Sequence, residues 1–306
     1  MTPAVTVIGA ATSAGSHHAG QEHAPAALRA AGFVTRLARA GLDVTDLGDV
    51  VTATFTPDAV TARARSLAEV VLVARAVADA VDGALAAGRL PVVLGGDCTI
   101  SLGVMAGVLR HHPGSGLLYL DGDADLATPE TSSSGVLDAM GAAHLLGLAD
   151  NDLARIGPVF PMLTQERLVQ FGYDETDPDS SRSDWARELP GLVRFSGPEV
   201  RADPGGCAAR ALAALAAASG DDGAVVHFDV DTIDSRDLPL ANFPHYNLGL
   251  PLSMAAGLLP GFYAQPHLRA AVFTEVNPSY EPSGTSLARY VETVAGALAA
   301  GLTQTP

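Results

Sequence analysis

The sequence predicts an α/β fold: a three-layer α-β-α arrangement with a central, mostly parallel sheet of about eight strands, in one domain spanning residues 1–306. Short apolar runs alternate with longer alanine-rich stretches along the chain, which is typical of strands joined by crossover helices. The 306 residues and the 48% hydrophobic content supply enough apolar surface for one large buried core.

Each predicted element rests on a local pattern. Strands are predicted where four or five apolar residues are bounded by turn residues, and helices where alanine-rich stretches run for at least three turns. A polar stretch, Asp174 to Asp184, predicts a surface loop. The predicted strands are Val5 to Ile8, Val44 to Leu47, Pro91 to Leu94, Leu117 to Leu120, Leu168 to Phe171, Val193 to Phe195, Ala224 to Phe228 and Ala270 to Thr274. The predicted helices include Val60 to Ala87, Thr99 to Arg110, Cys207 to Ala218 and Ser286 to Gly301.

Acidic residues follow three of the predicted strands at the point where each strand ends. They are Asp121, Asp123 and Asp125, then Asp229, Asp231 and Asp234, and finally Glu275. In an open α/β sheet, ligands bind at the carboxyl ends of the strands, because the loops there converge. Clustered carboxylates repel one another unless cations neutralise them, and oxygen ligands suit divalent ions such as Mn²⁺ or Mg²⁺. The pattern therefore predicts a metal site at this edge.

Four motifs in order resemble those of the ureohydrolases, the arginase and agmatinase family. That family has GGDH after one strand, DAHxD after the next, DxDxxDP later, and a Glu in an EVNP context near the C-terminus. Here the motifs read Gly95-Gly96-Asp97-Cys98, Asp121-Gly122-Asp123-Ala124-Asp125, Asp229-Val230-Asp231-Thr232-Ile233-Asp234-Ser235 and Glu275-Val276-Asn277-Pro278. The resemblance implies an arginase-like fold and hydrolysis of a guanidine C–N bond by a metal-bridging hydroxide.

The resemblance also implies roles for individual residues. Two divalent ions are expected, with manganese favoured and zinc or iron as alternatives because of Cys98. Catalytic roles fall to Asp125, to Glu275, which would hold the guanidinium by charge-assisted hydrogen bonds, and to Asp138, which would handle the leaving-group proton. Substrate contacts are expected from Glu130, Ser134 and His245. The implied metal ligands are Cys98, Asp121, Asp123, Asp125, Asp229 and Asp231.

The chain departs from the family at the imidazoles. Cys98 and Asp123 replace the two metal-binding His residues, and Asp138 replaces the His usually credited with proton shuttling. Ala127 replaces an Asn that helps arginases to read the substrate α-carboxylate, whereas Ser134 is retained. The resemblance still implies the family's metal geometry, but the residues that recognise arginine are incomplete.

The sequence leaves alternatives for the role of Cys98 and for the source of an imidazole ligand. Cys98 is either a thiolate ligand, which favours Zn²⁺ or Fe²⁺, or a small buried residue. His17 and His18 lie in a loop at the same sheet edge and could replace the lost imidazoles, although rim or subunit contacts are the simpler expectation. We expect His227 to pack or to hydrogen-bond behind the metal ligands rather than to bind metal.

The negative net charge excludes two classes of binding partner. Asp and Glu outnumber Lys and Arg by 34 to 18, for a formal net charge of −16. Binding to nucleic acid or to an anionic membrane surface requires basic patches, so we expect neither, and we expect a small-molecule substrate instead. No apolar run approaches the roughly 20 residues that cross a bilayer. We expect a cytoplasmic homo-oligomer, a trimer or hexamer, because no signal peptide opens the sequence and the family assembles in that way.

Two functions remain in competition. The first is a metal-dependent amidinohydrolase acting on a guanidine other than arginine. The cysteine variant, together with Thr128-Pro129-Glu130-Thr131, resembles a branch that includes enzymes of bacterial specialised metabolism acting on modified arginines such as N-hydroxyguanidines. The second is a catalytically inactive member of the fold that serves as a binding or regulatory subunit.

Overall fold

Eight strands form a single sheet within residues 2–58, 61–176 and 188–304, which are the residues that the computed structural model describes. Each predicted strand is present, several with extended ends. The strands are β1 (Ala4–Thr12), β2 (Asp43–Ala53), β3 (Leu90–Leu94), β4 (Gly116–Leu120), β5 (Leu168–Tyr173), β6 (Val193–Ser196), β7 (Ala224–Asp229) and β8 (Leu268–Thr274).

The strand order is β2-β1-β3-β8-β7-β4-β5-β6, and every neighbouring pair is parallel. The last strand of the chain, β8, therefore lies between β3 and β7 near the middle of the sheet. Because all strands run in the same direction, their carboxyl ends lie on one edge. The predicted α/β fold with a parallel central sheet is confirmed.

Helices cover both faces of this sheet. Nine α-helices occur among the described residues. They are α1 (Ala24–Ala30), α2 (Phe33–Arg39), α3 (Leu67–Ala86), α4 (Ile100–Leu109), α5 (Gly141–Leu145), α6 (Gly197–Ala202), α7 (Pro204–Ser219), α8 (Leu252–Tyr263) and α9 (Thr285–Gln304). None of these helices has the length and hydropathy needed to span a membrane.

The core divides into two apolar layers because neighbouring side chains of a strand point to opposite faces. In β4, Leu118 and Leu120 join the cluster that packs against α1, α2, α7, α8 and α9. Leu117 and Tyr119 join the cluster that packs against α3, α4 and α5. All of β4 is buried, as expected for a central parallel strand covered on both sides.

Helix α3 begins later than the sequence pattern predicts. Residues 61–66 form turns instead of the predicted first helical turns, and Val60 lies outside the described residues. The Arg65 backbone N–H donates to the Gly135 carbonyl at 2.9 Å, and Ser66 adopts φ 54°. This contact with a distant loop keeps residues 61–66 out of the helix, which therefore begins at Leu67. Most of the predicted polar loop, residues 177–184, also lies outside the described residues.

Candidate metal centre

The acidic motifs lie together because they follow four strands that are neighbours in the sheet. Cys98 follows β3, Glu275 follows β8, Asp229 ends β7 and Asp121 follows β4. A tight Gly95-Gly96 turn carries the chain from β3 toward α4 and brings the Cys98 backbone under the end of β8. The four strand ends therefore supply one continuous group of polar side chains.

Cys98 is the centre of a first donor group. Its Sγ lies 2.7 Å from Asp229 Oδ2 and 3.8 Å from Asp121 Oδ2. The Nε2 atom of His227 lies 3.6 Å from Asp121 Oδ2 and 4.0 Å from Asp229 Oδ2. These four side chains are buried, and one potential ligand atom from each lies within 4.8 Å of the others. Asp121, Asp229 and Cys98 thus share one small volume, as the motifs predicted.

A second donor group contains Asp123, Asp231 and His245, again with ligand atoms within 4.8 Å of one another. The Nε2 atom of His245 lies 3.5 Å from Asp123 Oδ2. Asp231 Oδ1 accepts a hydrogen bond of 2.9 Å from the Gly122 backbone N–H, which joins the loop after β4 to the loop after β7. His245 was expected to contact substrate, and the structure places it among the carboxylates.

Glu275 and Asp138 form a third group with Cys98. The Cys98 backbone N–H lies 2.9 Å from both Asp138 Oδ1 and Glu275 Oε1, and Glu275 Oε2 accepts a hydrogen bond from the Gln21 side-chain amide. Glu275 itself adopts φ 64°, in the left-handed region. Both Glu275 oxygens therefore already accept a protein hydrogen bond.

Asp125 faces the same space from a different direction. Although its backbone leaves the extended geometry at φ 50°, its side chain lines the cavity together with Asp121 and Asp123. Its Oδ2 accepts a hydrogen bond of 2.6 Å from the Tyr119 hydroxyl. Asp125 belongs to none of the three donor groups found among the described residues, so its role as a metal ligand stays a prediction.

Members of all three groups line a cavity of about 490 Å³, whereas Asp229 and His227 are buried and are not among its lining residues. Ser134 and Asp138, predicted to contact substrate and to handle a proton, line the cavity, whereas Glu130 is exposed and outside it. The side chain of His17 lines the cavity and packs edge to face on Phe243, and His18 lies at the surface, 3.0 Å from the Tyr280 hydroxyl. The lining residues are His17, Cys98, Asp121, Asp123, Asp125, Ala127, Thr131, Ser132, Ser133, Ser134, Val136, Asp138, Ala139, Asp231, Phe243, Pro244, His245 and Glu275.

Sequence reasoning missed Gln21 and Phe243. Gln21 lies just before α1 and is fully buried against Glu275. The sequence predicts only that the segment around His17, after β1, lies at the same sheet edge as the acidic residues. Nothing local in the sequence indicated that the loop would bring an amide to Glu275 rather than an imidazole.

Burial in an acidic environment raises the pKa of most of these carboxyl groups. For Asp121, Asp125, Asp138, Asp229 and Glu275 the pKa lies well above its ordinary value, first because of burial and then because of neighbouring carboxylates. For Asp231 the same causes raise the pKa to about 6. The metal-free site therefore holds protons that an exposed carboxylate would release.

Cys98 and His227 are neutral in this environment. Burial, followed by the Asp229 and Glu275 charges, raises the pKa of the Cys98 thiol well above its ordinary value. Burial lowers the pKa of His227 to about 3. A Ser101 hydroxyl lies 2.7 Å from His227 Nδ1, and the ring stacks on Tyr119 with centroids 4.1 Å apart. A neutral imidazole keeps one nitrogen lone pair, which can accept a proton or a metal ion.

The donor sets fit divalent cations. None of the cavity-lining residues in the described parts of the chain is Lys or Arg, so no permanently charged basic side chain offsets the carboxylates. The Oδ1 atom of Asp123 is buried and has no hydrogen-bond partner among the described residues. Oxygen and nitrogen donors suit Mn²⁺, Fe²⁺ or Zn²⁺, and a Cys98 thiolate would favour the softer ions.

These pKa shifts predict that the metal-free protein becomes less stable as pH rises. Above the unfolded pKa, near 4, the unfolded chain releases protons that the folded site retains, so the free energy of unfolding falls with increasing pH. Asp231 contributes between 3.8 and about 6, and the more strongly shifted carboxyls extend the loss upward.

The measurement is the Tm in the presence of a chelator between about pH 4 and about pH 8. Asp231→Asn should flatten the part of the curve between about 4 and 6. A Tm that stays constant or rises over this range in the metal-free protein would contradict the assignment.

The sequence matches the model of one protein family and is similar to several of its members. The model of the arginase family matches residues 3–300 of this chain. The arginase of Brevibacillus brevis is 32% identical over 279 residues, which cover 91% of this chain and 92% of that protein. The arginase of Bacillus caldovelox is 31% identical over 277 residues, which cover 90% of this chain and 91% of that protein.

Solved structures agree in fold. The crystal structure of arginase from Bacillus cereus has a TM-score of 0.84 and 28% identity, and the match covers 96% of this chain and 97% of that one. A structure of a hypothetical agmatinase from Burkholderia thailandensis has a TM-score of 0.71 at 19% identity, covering 99% of this chain and 86% of that one. At that identity the second match supports the fold alone.

Proposed function

This chain belongs to the arginase family, and on that premise we propose that it is a metal-dependent hydrolase that cleaves a C–N bond of a guanidine or modified guanidine other than arginine. The observation that carries the proposal is the set of buried donors at the ends of four neighbouring strands, in groups whose ligand atoms lie within 4.8 Å of one another.

Two divalent ions would be held by residues of the two main donor groups. Cys98, Asp121 and Asp229 would hold one ion, and Asp123 and Asp231 would hold the other. When bound, such ions would supply Lewis-acid chemistry and lower the pKa of water, so that hydroxide would be available at neutral pH for the planar guanidine carbon. Manganese is the expected ion, and Cys98 makes zinc or iron the alternative.

Glu275 and Asp138 would act on the substrate. Glu275 lines the cavity, and the positive charge of a bound guanidinium would favour its ionised form, which would then accept charge-assisted hydrogen bonds from the substrate. Burial, followed by the charge of Asp97, raises the pKa of Asp138 well above its ordinary value, which supports a role as the acid that donates a proton to the leaving amine. Water supplies the hydroxyl and proton that complete the hydrolysis.

The cavity disfavours arginine. Its lining contains no Lys or Arg among the described residues, so the α-carboxylate of arginine would meet carboxylates and no cationic side chain. Ser134 Oγ already accepts a 3.2 Å hydrogen bond from the Val136 backbone N–H and lies 3.3 Å from Ser132 Oγ. Ala127, at the position of the family Asn, offers only a methyl group. A guanidine without a carboxylate, or with a modified one, fits this lining better.

We expect the manganese- or zinc-loaded protein to release urea, or hydroxyurea from an N-hydroxyguanidine, faster from such a substrate than from arginine. Agmatine, which lacks the α-carboxylate, and arginine test this when the product is measured by mass spectrometry. N-hydroxyarginine keeps the α-carboxylate and tests the modified guanidine separately. We expect kcat/KM for agmatine to exceed kcat/KM for arginine by at least about tenfold. A factor of this size corresponds to one charge-assisted contact that the α-carboxylate of arginine lacks in this cavity. Arginine as the best of these substrates would contradict the substrate assignment.

A catalytically inactive binding subunit remains the second candidate. The observation in its favour is that both oxygens of Glu275 already accept hydrogen bonds, from the Cys98 backbone and from Gln21. Metal content discriminates between the two functions. Two equivalents of tightly bound ion support the hydrolase, and no bound ion supports the inactive subunit.

A further inference from the structure

The His245 ring lies between the two acidic loops of the second donor group. The residue is 6% exposed, and its Nε2 atom lies 3.5 Å from Asp123 Oδ2. The His245 carbonyl accepts a 2.9 Å hydrogen bond from the Ser235 backbone N–H, which ties the long loop after β7 back to the motif that carries Asp231. This hydrogen bond places the His245 backbone beside that motif.

Gly122 makes room for this ring. A Cβ atom at position 122 would lie 2.7 Å from His245 Cδ2 and 2.8 Å from the Asp231 carbonyl oxygen. Real Cβ contacts of this length essentially do not occur, so a side chain at 122 would push the ring away. Where the related motif reads Ala-His, this chain reads Gly122-Asp123, so the two neighbouring changes remove one imidazole and open space for another.

We propose that His245 is a metal ligand, and that with Asp123 and Asp231 it supplies from the loop after β7 the imidazole that position 123 no longer carries. The proposal rests on the proposed function, since it assigns a residue to the metal centre of that function. It differs from the expectation that His245 contacts substrate.

The distance between His245 Nε2 and Asp123 Oδ2 is close to that expected for two ligand atoms of one metal ion. Ligand atoms about 2.1 Å from one ion are separated by about 3.0 to 3.4 Å for octahedral or tetrahedral angles, close to the 3.5 Å between His245 Nε2 and Asp123 Oδ2. The buried Oδ1 atom of Asp123 has no hydrogen-bond partner among the described residues.

The charge agrees as well. Exchanging His for Asp at position 123 adds a negative charge to a site already rich in carboxylates. A neutral imidazole from His245 restores a nitrogen donor without adding another charge. Nitrogen with two carboxylates is a donor set that suits Mn²⁺, Fe²⁺ and Zn²⁺.

The test compares metal stoichiometry and affinity in three proteins, by elemental analysis after dialysis and by competition with a chelator. His245→Ala should lose one equivalent of Mn²⁺ or Zn²⁺, or bind it at least about 100-fold more weakly. The matched control is His267→Ala, which removes a surface imidazole whose Nε2 also lies 3.5 Å from a carboxylate oxygen, that of Asp221. This control should keep wild-type metal content.

A second variant tests relocation directly. Asp123→His combined with His245→Ala returns the imidazole to the motif position and should regain the lost ion. Wild-type stoichiometry and affinity in His245→Ala would overturn the proposal, and so would a folded double variant that stays at the metal content of His245→Ala. If the wild type binds no ion, the proposed function fails too. If the wild type and His245→Ala both bind two ions, only this inference fails.

Discussion

Replacing Asp229 by asparagine is expected to remove bound metal and to lower kcat/KM by at least about 10³-fold. Asp229 ends β7, is fully buried, and places its Oδ2 atom 2.7 Å from Cys98 Sγ and 3.0 Å from Thr274 Oγ1. Asparagine has nearly the same shape, so the change removes charge and donor strength while the packing stays the same.

The measurements are metal content after dialysis and the rate of product release from the best substrate. Asp234→Asn is the matched control, because Asp234 belongs to the same motif but lies outside the donor groups and accepts the Arg236 backbone N–H at 3.0 Å. The control should bind metal as the wild type does. Full metal occupancy and activity in Asp229→Asn would sink the assignment of the centre.

Replacing Gly96 by alanine is expected to destabilise the fold by more than about 3 kcal/mol. A Cβ at this position would lie 1.6 Å from the Thr12 carbonyl oxygen and 2.8 Å from the Thr12 backbone nitrogen. These are backbone atoms of β1, which cannot rotate away. The Gly96 carbonyl also accepts the Glu275 backbone N–H at 2.9 Å, so the turn joins β1 and β8 as it positions Asp97 and Cys98.

The free energy of unfolding, from denaturant titration of the metal-free protein, checks this prediction. Gly205→Ala is the control, because a Cβ there meets no atom within 4 Å and the residue lies in the first turn of α7. That variant should be unchanged or stabilised by up to about 1 kcal/mol. A Gly96→Ala protein with wild-type stability would show that the turn is not tightly packed.

Local sequence patterns were sufficient to predict the sheet elements. Runs such as Pro91 to Leu94 and Leu117 to Leu120 are short, apolar and bounded by turn residues, and a fully buried parallel strand has that composition. The start of α3 was wrong, because alanine-rich helical propensity continues through residues 61–66. A hydrogen bond from Arg65 to Gly135, remote in sequence, decides that boundary.

Motif spacing was sufficient to find most of the acidic residues of the centre. Asp121, Asp229 and Glu275 each follow an apolar run directly, so their placement at a strand end is a local property of the chain. It did not require knowledge of which strands are neighbours. Gln21 lies in a short 3-10 helix before α1 and Phe243 lies in the long loop after β7, and no comparable local signal indicates either residue.

By itself, the sequence determined that the protein has a parallel α/β sheet with carboxylates at its carboxyl edge, because apolar periodicity and turn residues act over a few residues. Only the tertiary structure decided that β8 inserts between β3 and β7, which brings Glu275 to the Cys98 backbone at 2.9 Å. It also decided that His245 enters the space beside Gly122. Both depend on contacts between residues more than 100 positions apart, whose formation depends on packing of the whole core and not on local backbone preference.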